Sequence, residues 1–181
     1  TTYCIQGSGP LPAAPYTIAA DNVTIVGENP FVTINNVAAG MFIDITGNNV
    51  TIRDITIDDT GIASTHGIRT SGMNTTIANV RFLDTAAGGY TTAVIEVTGG
   101  TATISGCVIT AGSGDVIAVT GGNDVQIIGN TIRTTASTPA AVNVIDVTAG
   151  VGHIIRQNII NSTVRGANPT APIINAAYTG A

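Results

Sequence analysis

A short phrase recurs about every 25 residues along this chain, and such a fixed period constrains the fold before any single residue does. Its first half reads Asn22-Val-Thr-Ile25, Asn49-Val-Thr-Ile52, Asn74-Thr-Thr-Ile77, Thr101-Ala-Thr-Ile104, Asp124-Val-Gln-Ile127 and a degraded His153-Ile-Ile155. Its second half reads Ile43-Asp-Ile-Thr-Gly47, Ile68-Arg-Thr-Ser-Gly72, Ile95-Glu-Val-Thr-Gly99, Ile117-Ala-Val-Thr-Gly121, Ile145-Asp-Val-Thr-Ala149 and a frayed Ile174-Asn-Ala176. Apolar and polar residues alternate inside each half. In Val50-Thr51-Ile52 the Val and Ile share one face, and in Ile95-Glu96-Val97 the Ile and Val do. Period-2 alternation of β-branched residues specifies strands, and no segment carries a helical 3.6-residue period.

Two or three short strands plus turns fill one period and close one rung of a coil. Rungs in register then hydrogen-bond in parallel at about 4.8 Å, which turns the isoleucines at 25, 52, 77, 104, 127 and 155 into an internal ladder. The expected architecture is all-β, a parallel β-helix of about six to seven rungs over 21–181. Gly47, Gly72, Gly99 and Gly121 are expected at one repeated tight corner, where the absence of a Cβ relieves crowding between stacked turns. Residues 1–20, with Pro10, Pro12 and Pro15, break the pattern and read as a lead-in or cap covering the first rung. Length variation falls in Asp59–Thr65, Thr85–Tyr90, Ala111–Gly114 and Thr134–Ala141, the loops of one side of the coil.

Composition excludes several functions. The 181 residues are 44% apolar and only 9% charged, which is not the profile of disorder. A net charge of −5 with six scattered arginines gives no basic patch, so nucleic acid is not an expected partner. No apolar run reaches the roughly 18 residues of a membrane span. Cys4 precedes the repeat and Cys107 lies about four rungs along it, too far apart at about 4.8 Å per rung for an internal disulfide. The chain begins at Thr1 without a methionine, which fits a processed or excised piece.

The rungs of the type Asp124-Val-Gln-Ile-Ile-Gly-Asn-Thr-Ile132 resemble those of the right-handed parallel β-helix superfamily, the pectin-lyase-like solenoids. The resemblance covers about residues 20–181 and implies a right-handed coil. That superfamily includes polysaccharide lyases, hydrolases, tailspikes, adhesins and inert surface proteins, so activity must be argued from a site.

Glycoside hydrolysis needs a carboxylic acid and a carboxylate roughly 5–10 Å apart. The second rung concentrates Arg53, Asp54, Asp58, Asp59, His66 and Arg69, and the candidate carboxylates are Asp54, Asp58, Asp59, Asp84 and Glu96. Polygalacturonase-like members carry an Asn-Thr-Asp, a paired Asp, a Gly-His-Gly and an Arg-Ile-Lys in separate rungs. Here Asp58-Asp59 and His66-Gly67 fall within one loop, and the Asn-Thr-Asp and Arg-Ile-Lys elements are missing. The preferred reading is a solvated loop, with no catalytic site, cofactor or metal; a lyase or glycoside hydrolase is the enzymatic alternative. Scarce aromatics and the absence of Trp also speak against a long sugar cleft.

Two further patterns look structural. The outward position of the second half-phrase is Asp44, Arg69, Glu96, Ala118, Asp146 and Asn175 in successive rungs, which sets Arg69 between two acids as a register device. Asn22, Asn49, Asn74 and Asn161 head glycosylation-type triplets, three of which are by-products of the rung consensus. His153 stands where other rungs carry Val. The functional expectation is a structural surface or appendage protein of a cell surface, spore or virion, extracellular, self-associating as a homo-oligomer or polymer through β-helix ends or faces. The alternative is a tailspike-like or pectin-lyase-like protein that binds or cleaves polysaccharide.

Overall fold

The computed structural model describes residues 1–10, 15–29, 32–35, 40–60, 64–83, 90–112, 114–134, 143–162 and 174–176. Among them 21 strands, β1–β21 in chain order, form three parallel sheets of seven strands each, with no helix. The first sheet stacks β1 (Thr2–Ile5), β4 (Thr24–Gly27), β7 (Thr51–Arg53), β10 (Thr75–Ala78), β13 (Ala102–Ser105), β16 (Gln126–Ile128) and β19 (Ile154–Arg156). The second stacks β2 (Gly9–Pro10), β5 (Thr33–Asn35), β8 (Thr56–Asp58), β11 (Arg81–Leu83), β14 (Val108–Ala111), β17 (Thr131–Thr134) and β20 (Ile159–Ser162). The third stacks β3 (Tyr16–Ile18), β6 (Gly40–Ile45), β9 (Ser64–Thr70), β12 (Ala93–Val97), β15 (Asp115–Val119), β18 (Ile145–Val147) and β21 (Ile174–Ala176). Each rung therefore takes one strand from each sheet, and the whole is a β-solenoid. Five of the seven rungs have a neighbour on both sides.

The isoleucine ladder is present in full register, Ile25 against Ile52, Ile77, Ile104, Ile127 and Ile155. The second sheet adds Ile34, Ile57, Phe82, Ile109, Ile132 and Ile160, and the third adds Ile43, Ile68, Ile95, Ile117, Ile145 and Ile174. Ile52, Ile57, Ile77, Ile95, Ile104 and Ile132 have no exposed surface. Full burial of one such side chain stabilises by about 1.5–3 kcal/mol, so the three ladders supply the cohesion of the coil.

Residues 1–20 hold β1, β2 and β3, the terminal strand of each sheet at that end. The loops of unequal length all join the second sheet to the third; 61–63, 84–89, 113 and 135–142 within them lie outside the described residues. The other corners are short and repeated. Between the first and second sheets one left-handed residue turns the chain, Asp54 (φ 57°), Asn79, Gly106, Gly129 and Gln157 in successive rungs. Between the third and first sheets the turn ends on a second left-handed column, with Asn22, Asn49, Asn74 and Asp124 in it. Asn and Asp tolerate this region because their short side chains hydrogen-bond locally.

Those side chains also stack. Asn49 Nδ2 donates to Asn22 Oδ1 at 3.1 Å and Asn74 Nδ2 to Asn49 Oδ1 at 3.0 Å, and Thr101 Oγ1 continues the ladder by donating to Asn74 Oδ1 at 3.0 Å. The corner glycines answer crowding, as expected. A Cβ at Gly72 would be driven into the Gly47 carbonyl oxygen, and one at Gly121 into that of Thr98. In the intervening rung the close approach moves one residue on, from Gly99 to Gly100. His153 occupies the Val position and is satisfied there: Val125 N donates to Nδ1 at 3.3 Å, and Nε2 lies 3.0 Å from the Ala149 carbonyl. Both cysteines are free, and burial pushes the Cys107 thiol up to about 11.

Candidate functional site

The second-rung patch does not converge on one point. Arg53 and Asp54 stand at the corner of the first and second sheets, Asp58 and Asp59 at the far end of β8, and His66 and Arg69 on β9 of the third sheet. Asp54 is the corner residue itself; it forms an ion pair with Arg53 and accepts from Asn79 Nδ2 at 3.3 Å. Asp58 Oδ1 accepts from the Thr60 amide at 2.9 Å, a short turn-closing bond. Asp59 is only 1% exposed and accepts from the equally buried Ser64 Oγ at 2.9 Å. Asp84 lies outside the described residues.

Glu96 belongs to the arrangement that does form, a charged strip on the outer face of the third sheet. The pairing register reproduces the expected column, Asp44 to Arg69 to Glu96 to Ala118 to Asp146 to Asn175. Arg69 lies between Asp44 and Glu96, but its guanidinium turns to one side only. Its Nε and Nη2 donate to Asp44 Oδ1 and Oδ2, both at 3.2 Å. Glu96 is held instead by His66, with Nε2 2.9 Å from Oε2, and by Thr120 Oγ1, which donates to Oε1 at 3.0 Å. The His66 Nε2 is buried, and the Glu96 carboxylate is the group it faces. On the far side of the ring, Nδ1 lies 3.1 Å from Thr65 Oγ1.

The local sequence explains how His66 and Arg69 reach one face. In five rungs of the third sheet alternation breaks at a consecutive inward pair: Phe42-Ile43, Gly67-Ile68, Val94-Ile95, Val116-Ile117 and Val144-Ile145. Residues on either side of the pair then share the outer face, as Met41 with Asp44 and His66 with Arg69 do. Gly67 is required in its rung, since a Cβ there would meet the Tyr90 ring and the Val94 carbonyl. The doubled apolar residues were the available signal for this second column, in which Met41, His66 and the fully buried Ala93 precede Asp115.

Burial pushes the His66 pKa below its ordinary value; Glu96 opposes this and Arg69 adds to it. The imidazole is therefore neutral at pH 7. Burial likewise raises the Asp115 carboxyl, against a 2.9 Å hydrogen bond from the Asn143 amide, with Asp146 adding to the rise. Among the described residues no group of three His, Cys, Asp or Glu side chains is arranged to hold a metal ion. Chemically, the strip ties three consecutive third-sheet strands, β6, β9 and β12, and Thr120 just after β15, by side-chain contacts between different rungs.

Compared with family models, curated proteins and solved structures, the chain matches none. Among the described residues no helix is long and apolar enough to cross a membrane.

Proposed function

We infer that this protein is a non-enzymatic, pectin-lyase-like β-helix serving as a structural component of an extracellular surface or appendage, of a cell, spore or virion, and that it associates with its own copies. The observation that carries this reading is the employment of the described candidate carboxylates. Asp54, Asp58, Asp59 and Glu96 each accept a bond that closes a turn, fixes a corner or ties two rungs. A glycosidase requires instead an acid and a base facing one open space.

Self-association is supported by apolar surface at both extremes of the described sheets. At one, a cavity of about 410 Å³ opens among Tyr3, Ile5, Pro10 and Tyr16 over Ile25 and Ile34. At the other, Ile154, Ile159 and Ile174 are 42%, 67% and 44% exposed. Apolar groups beside parallel strand edges favour contact with another chain. Sedimentation velocity across a concentration series tests the reading: the expected result is a concentration-dependent oligomer, and a monomer at every concentration up to millimolar removes it.

A further inference from the structure

We propose that two copies of this chain associate side by side, the second sheet of one against the third sheet of the next, with axes parallel and rungs level. The proposal rests on the self-association reading and names the surfaces that carry it. Its basis is a match of charge, rung by rung, between two faces of the same coil.

In the rung of β8 and β9 the second sheet presents Asp58 and the third Arg69. In the rung of β11 and β12 it presents Arg81 against Glu96. In the rung of β14 and β15 the second sheet carries no charge, with Val108 and Thr110, so Asp115 of the third sheet meets no like charge there. In the rung of β17 and β18 Arg133 stands opposite Asp146. Three charged rungs thus oppose unlike charges when two copies lie level.

Slipped arrangements lose this. A shift of one rung in one direction sets Asp58 against Glu96 and leaves only Arg81 with Asp115 as an unlike pair; in the other it sets Asp58 against Asp44 and Arg81 against Arg69 and leaves only Arg133 with Asp115. The best antiparallel approach recovers only Arg81 with Asp146 and Arg133 with Glu96. Like charges brought together select against the slipped registers, and three unlike pairs against two favour the level parallel arrangement over the antiparallel one. Arg81 and Arg133 are exposed, and Val108 and Ile159 beside them are 46% and 67% exposed, so the second sheet offers apolar contact with its charges. The internal bonds of Arg69 and Glu96 leave the rungs' net signs unchanged, and Arg69 remains 38% exposed. Two different faces meet, so each copy keeps one of each for a further neighbour, and the association continues around a ring or along a row.

The test uses the whole chain, with oligomeric state measured by light scattering on a sizing column at low salt. Arg133→Glu alone and Asp146→Arg alone should each weaken association by about tenfold or more, because each sets like charges opposite one another. Arg133→Glu combined with Asp146→Arg in one chain should restore it, since the exchanged charges meet again only in the level parallel arrangement. Both positions face outward, and unchanged thermal unfolding verifies that the variants fold. Wild-type oligomers indifferent to the single reversals, or a double reversal that fails to recover, overturn this interface while leaving self-association standing. A wild-type chain that stays monomeric overturns both.

Discussion

Inside and outside are separated by a single residue in these strands. Ile104 has no exposed surface and sits mid-ladder between Ile77 and Ile127, whereas Thr103 points outward beside it. Ile104→Asp should abolish cooperative urea unfolding, because it buries a carboxylate with no partner. Thr103→Asp should cost under about 1 kcal/mol, the range of surface substitutions. Equal midpoints for the two variants would contradict the assignment of faces. This much was legible in Val50-Thr51-Ile52 and its repeats, since period-2 alternation carries orientation directly. The partner of Glu96 was not legible. Stacking placed Arg69 next to it, but the choice of Asp44 over Glu96 depends on side-chain direction.

His66 gives that arrangement a pH signature. Its pKa in the folded chain lies below its ordinary 6.5, so the unfolded chain binds the extra proton first. The His66 contribution is then complete above pH 6.5 and is lost as pH falls through the lowered value. Asp115 has the opposite sign: its raised carboxyl favours the fold below its ordinary 3.8, and that contribution is lost as pH rises through the raised value. Melting temperatures followed from pH 7 to pH 5 should therefore fall more steeply in the wild type than in His66→Gln. Parallel curves would show that His66 is not the titrating group.

At the scale of the element, the corners repeat more strictly than the strands they join. Asn49 combines a left-handed backbone (φ 55°) with amide bonds to Asn22 and Asn74. Asn49→Gly removes only the side-chain ladder, while Asn49→Ala removes the ladder and adds backbone strain of about 1 kcal/mol. Urea titration should place the Ala variant below the Gly variant, and the reverse order would deny the strain. Gly72→Ala should be more damaging than either, because the added Cβ meets a backbone oxygen that cannot move without parting two rungs. The Asn-Val-Thr triplets announced this corner in the sequence. Their resemblance to glycosylation acceptors follows from the rung consensus, in which Asn suits the corner and Thr the outward strand site.

At the scale of the molecule, the repeat disclosed a solenoid because each period has to bury the same face against its neighbour. It disclosed much less about function. The candidate carboxylate Asp54 is near Asp58 and Asp59 in sequence yet stands at a corner of the coil while they lie at the far end of β8, a separation that depends on where each corner falls. What the surface does carry is a pattern of charge along two faces, from Asp58 with Arg69 to Arg133 with Asp146. The most direct measurement of the central claim, that these rungs are built to meet other copies of themselves, is negative-stain imaging of the chain at high concentration. Rods about 30 Å tall lying side by side with parallel axes, at about 4.8 Å per rung, are the predicted result. Isolated single rods in every field would contradict it.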